Sequence, residues 1–186
     1  MRRKFFTNLA EKEGGKFYFR DKDIGSAIGL GVRSPNVNYI VKFLYKENEF
    51  TVLNSTGTSF CGEITCSFSS ITRPIKFKLN SISHFKNIFL RRKNRFKIKT
   101  KNENLEYFIL KSQNMKKLNE ISKKEAFDPT IICETNGINK ITTKYHLEFD
   151  DWTQVIEPII GLYKELIQEF ESGHLNVSNK SYRKMK

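Results

Sequence analysis

Between Ile64 and Asn102 the chain has neither aspartate nor glutamate, although eleven lysines and arginines fall in those 39 residues. Outside that stretch the charges nearly cancel. Ten basic face seven acidic residues before it and twelve face thirteen after it, so the acid-free stretch supplies eleven of the thirteen net positive charges. A coding bias toward lysine, asparagine, isoleucine and phenylalanine would raise lysine throughout. It would leave acids at their average spacing and would not favour Arg73, Arg91, Arg92 and Arg95.

Cysteine is scarce. Cys61, Cys66 and Cys133 are too few for a disulfide framework, and an odd number leaves at least one free thiol, so a reducing, cytoplasmic setting is expected. On one strand Cys61 and Cys66 would face opposite sides, which argues against a shared metal. Histidine is scarce too: His84, His146 and His174 do not show the close spacing of a ligand set, and no metal or cofactor is expected. Long apolar runs are missing. No stretch reaches the roughly 18 uncharged residues of a membrane span, and Met1 to Ala10 lacks the apolar run of a secretory leader. Gly25, Gly29 and Gly31 (GSAIGLG) follow neither the dinucleotide-binding order nor a phosphate-loop pattern and read as a connection. Asp150 and Asp151 read as caps of the helix that follows rather than as paired catalytic acids. With no nucleophile motif either, an enzyme with its site assembled from distant residues is the reading with least support.

Apolar material is plentiful, with 38% hydrophobic residues, sixteen phenylalanines and seven tyrosines. That is enough for one α+β domain over residues 1–171, with residues 172–186 expected as a polar, basic, disordered tail. Lys16 to Arg20 predicts a first strand. Tyr39 to Tyr45 and Phe50 to Leu53 predict a hairpin with a four-residue loop. Period-two alternation predicts strands over Phe60 to Phe68, Ile75 to Leu79 and Phe96 to Thr100, with a short helix within Ser81 to Asn94. Asn102 or Asn104 can cap a helical region reaching Ser122. Asn136-Gly137 joins two further strands, Thr130 to Cys133 and Ile138 to Phe149. From Trp152 to Phe170 apolar residues recur every three or four positions, the mark of an amphipathic helix capped by Asp151, with Pro158 kinking or restarting it. The sum is a mainly antiparallel sheet of six to eight strands, packed by the C-terminal helix, with a second helical segment inserted between strands.

The densest basic part, Lys86 to Lys101, interleaves Phe89, Phe96 and Ile98 with Lys86, Arg91, Arg92, Lys93, Arg95, Lys97, Lys99 and Lys101. On a strand Phe96 and Ile98 would face the core, while Arg95, Lys97 and Lys99 would form an outward cation row crowned by Arg91, Arg92 and Lys93. The aromatics are needed inside, so the segment offers no base-stacking platform. This composition predicts a non-catalytic binding or scaffolding module that docks an anionic partner, with protein favoured over nucleic acid. A sequence-nonspecific nucleic-acid-binding accessory protein is the alternative, and peripheral contact with an acidic membrane surface is a third.

Overall fold

The computed structural model describes residues 2–24, 34–57, 59–68, 75–82, 86, 93–136 and 138–172. Runs of alternating apolar and polar residues become eight strands: β1 (Lys16–Ile24), β2 (Ser34–Tyr45), β3 (Asn48–Thr56), β4 (Cys61–Phe68), β5 (Phe77–Ser81), β6 (Phe96–Thr100), β7 (Thr130–Asn136) and β8 (Ile138–His146). They form one antiparallel sheet in the order β1-β2-β3-β4-β8-β7-β5-β6. Along each strand alternate side chains turn to a buried face, as in Ile64, Cys66 and Phe68 of β4 or Ile141, Thr143 and Tyr145 of β8. Where side chains are described, the intervening residues remain partly or fully exposed apart from Ser55 of β3, so the sheet has one packed and one solvated face.

Helices cover the packed face. α1 (Arg2–Lys12) buries Phe6, Leu9 and Ala10, and the Phe6 ring lies 5.0 Å from Tyr39 and 5.9 Å from Trp152. The sequence reading starts the fold at β1 and misses this helix, whose apolar residues are few among basic ones. Between β6 and β7 come α2 (Glu103–Lys111) and α3 (Gln113–Lys124). Asn102 caps the first, accepting from Leu105 N at 3.1 Å. Ser112 caps the second, accepting from Met115 N at 3.1 Å. The last element begins as a 3-10 turn (Trp152–Val155) with Asp151 as its cap, then becomes α4 (Ile156–Ser172). Pro158 stands in the first turn of α4, where a missing backbone donor does no harm, so it accompanies a restart rather than a kink. α4 buries eight side chains from Ile156 to Phe170 against the sheet. Its Tyr163 hydroxyl lies 2.6 Å from Thr143 Oγ1 and donates to the Ile64 carbonyl at 3.2 Å.

The first hairpin differs from the expected four-residue loop. Tyr45 pairs with Asn48, leaving only Lys46 and Glu47 in the turn, both at positive φ (46° and 65°). A two-residue turn of this hand matches the twist of the strands, and Asn48 Nδ2 secures it by donating to the carbonyls of Tyr45 (3.1 Å) and Lys46 (2.8 Å). Glycine adopts this backbone without the Cβ penalty. Glu47→Gly is therefore expected to stabilise the protein by about 0.5 to 1 kcal/mol, read as a higher midpoint in urea unfolding at unchanged slope.

The expected connection through Gly25, Gly29 and Gly31, the short helix within Ser81 to Asn94, Gly137 of the second hairpin and the tail from 173 onward lie wholly or largely outside the described residues. No helix of the described residues is long and apolar enough to cross a membrane.

Candidate anion-docking face

β5 and β6 are short, adjacent and free of acid. In β6 Phe96 and Ile98 are buried while Lys97 and Lys99 are exposed, the alternation expected from the sequence. β5 repeats it, with Phe77 and Leu79 buried and Lys78 exposed. Pairing places Lys78 directly across from Lys99 and Asn80 across from Lys97. Two ammonium groups on facing positions repel, and like charges directly opposite destabilise a sheet. Among the described residues no ion pair involves Lys78, Lys97 or Lys99. The cluster thus concentrates positive charge on the solvated face without internal neutralisation. Lys76, Lys93 and Lys101, all exposed, flank it.

Arg95 is a correction. The sequence reading projects it outward with Lys97 and Lys99, but its side chain is fully buried and paired with Asp128. It precedes the strand, and the Ile82 carbonyl accepts from both its Nε (3.2 Å) and Nη2 (2.5 Å), while Nη2 also donates to the Asp128 carboxylate. A guanidinium offers five donors, and the end of β5 together with the loop before β7 supplies the acceptors, so it turns inward. Asn119 of α3 completes this junction, accepting from Arg95 N (3.0 Å) and donating to the Lys93 carbonyl (3.0 Å). Arg95 therefore anchors the start of β6 and contributes nothing to the cation row. Of the other expected contact residues, Lys86, Lys93, Lys97, Lys99 and Lys101 are exposed, and Arg91 and Arg92 lie outside the described residues.

The sequence reading misses Lys78. The alternation of lysine with apolar residues in Ile75 to Leu79 marks it as outward, but only the pairing of β5 with β6 brings it against Lys99.

Most other chemistry-bearing groups are buried or already engaged. Cys66 and Cys133 are buried, and burial pushes both thiols up to about 12. Cys133 Sγ also donates to the Ile75 carbonyl at 3.3 Å. Cys61 is exposed and sits across from His146 on β8, with no third His, Cys, Asp or Glu placed among the described residues to complete a metal group. A cleft of about 420 Å³ opens between α1, α3 and the start of α4. Its carboxylates are committed: Asp151 caps Thr153, and Glu157 bonds Lys12 at 2.7 Å. Neither His146 nor Cys133 lines it.

Comparison with protein-family models, curated proteins and solved structures finds no match to this chain.

Proposed function

We propose that this protein is a non-catalytic docking module that binds an acidic partner protein through the lysines of β5 and β6. The observation that carries the reading is the Lys78–Lys99 pair, two like charges at directly facing positions beside Lys97 on strands without a single acid. Such a pairing costs stability in the free protein, and an anionic surface brought against it would relieve that cost. The three free cysteines suit a reducing, cytoplasmic compartment.

A second reading has one observation in its favour. β6 is one of the two edge strands, and lysines on an edge strand discourage edge-to-edge aggregation. That role needs Lys97 and Lys99 but not Lys78, because β5 is paired on both sides.

Lys78→Glu separates the two. It turns the like-charge pair into an opposite-charge one, so stability is expected to rise by about 0.5 kcal/mol while affinity for poly-L-glutamate falls. With Lys97→Glu and Lys99→Glu added, binding at about 50 mM salt is expected to drop at least tenfold. Unchanged binding in both variants assigns Lys97 and Lys99 to edge protection and overturns the docking role of this face. Tighter binding to single- or double-stranded DNA, or to vesicles containing phosphatidylserine, moves the partner to that class. No binding to any of the three at that salt removes the docking reading.

A further inference from the structure

The geometry points to a docking surface that spans the entire solvated sheet face, with a second cationic margin on β1 and β2, and to a protein partner carrying acidic patches on both sides of an uncharged centre. The inference rests on the docking reading and extends it to residues far from the basic segment.

Register connects the two margins. Lys99 faces Lys78, and the same cross-strand row ends on the other side of the sheet with Lys42 facing Lys16. Between them the row runs through Ile132, Thr142, Thr65 and Thr51, each directly opposite the next. No acid occurs anywhere along it. All four lysines are exposed, and among the described residues none takes part in an ion pair. Three exposed or half-exposed acids stand in the neighbouring rows of the four middle strands: Glu63 pairs with Lys144 at 3.7 Å, Glu134 lies across from Lys140, and Glu49 of β3 faces Leu44 and Ser67. The middle strands thus carry three acids against two lysines outside this row, while the row itself is uncharged at its centre and positive at both ends.

Spacing sets the scale. β5 and β2 are five steps apart in the strand order, or about 24 Å at roughly 4.8 Å per step, and the full width from β6 to β1 is about 34 Å. Over about 20 Å of strand length the face measures on the order of 700 Å², close to one partner's share of a standard protein interface. Its layout also follows interface anatomy, in which charge is depleted at the centre and kept at the rim. A uniform polyanion such as a nucleic-acid strand presents charge evenly and would find four uncharged positions in succession. The aromatic side chains among the ladder residues of this face, Tyr18 on the edge strand β1 and His146 on β8, stand in different rows on separate strands and give no continuous stacking platform across it.

The test uses peptides as probes. A tetraglutamate peptide is compared with a tandem peptide, two tetraglutamate blocks joined by about 18 Gly/Ser residues, enough for a root-mean-square reach near 24 Å. Two margins convert the second contact into an intramolecular one, so the tandem peptide is expected to bind at least tenfold more tightly than the single block. The gain should vanish in Lys16→Glu/Lys42→Glu and in the milder Lys16→Gln/Lys42→Gln, with circular dichroism and melting temperature confirming that both fold. A tandem gain of only about twofold, or one indifferent to both variants, overturns the second margin while leaving the β5–β6 docking reading intact. Absence of any binding by either peptide overturns both. Tighter binding of a dT oligonucleotide than of the tandem peptide overturns the protein partner.

Discussion

Raising the pH from 9 to 12 is expected to unfold this protein. Cys66 and Cys133 are held in apolar surroundings that disfavour the thiolate, pushing both from the ordinary value of 9.0 to about 12. Burial likewise raises Tyr145 and Tyr163 above the ordinary phenol value, against the opposing hydrogen bonds to Asn54 and Thr143. In each case the folded state keeps a proton that the unfolded chain releases. Stability is therefore intact below about pH 9 and falls as the unfolded-state thiols ionise, with the loss complete only above the folded values. Between its unfolded and folded values each thiol costs up to about 1.4 kcal/mol per pH unit, so the two together remove on the order of 6 kcal/mol by pH 12, comparable to the whole stability of an ordinary domain. Urea unfolding at half-unit steps from pH 8 checks this. Cys66→Ala/Cys133→Ala should start less stable but lose stability more slowly between pH 9 and 10, before the tyrosines contribute much. A flat profile to pH 11 in the native protein would refute the placement of these thiols.

Removing Asp128 is expected to cost about 3 kcal/mol, or about 6 to 12 °C in melting temperature for a chain of this size. Its carboxylate neutralises Arg95, a guanidinium with no exposed surface and an Nη1 that has no partner among the described residues. Asp128→Ala leaves a buried charge with one carbonyl, that of Ile82, as its described acceptor. The converse change is milder. Asp128 is 34% exposed, so in Arg95→Met its carboxylate can turn to water while the apolar replacement fills the site. The ordering, with Asp128→Ala the worse of the two, is as diagnostic as the size. Equal or reversed losses would contradict the buried clamp.

What the sequence makes legible is local. β6 has the bounds its alternation predicts, Asn102 and Asp151 cap the elements they precede, and the C-terminal amphipathic pattern packs the sheet. What stays illegible depends on distant partners. Parity alone would turn Arg95 outward with Lys97, and acceptors from Ile82 and Asp128, 13 and 33 positions away, reverse it. Nor does any local pattern tell that β5 sits between β6 and β7, or that Lys16 and Lys42 end the same row as Lys78 and Lys99. The α1 helix escapes for a different reason: its few apolar side chains bury only because Tyr39 and Trp152 meet them.

Lysine footprinting tests the central claim most directly. Amines are acetylated with and without saturating poly-L-glutamate at about 50 mM salt, and each site is quantified by mass spectrometry. Lys78, Lys97 and Lys99 are expected to be protected several-fold, while Lys4, Lys116, Lys117 and Lys124, exposed on α1 and α3, react as before. Protection spread evenly over all of these, or concentrated on the helices, would contradict the docking face.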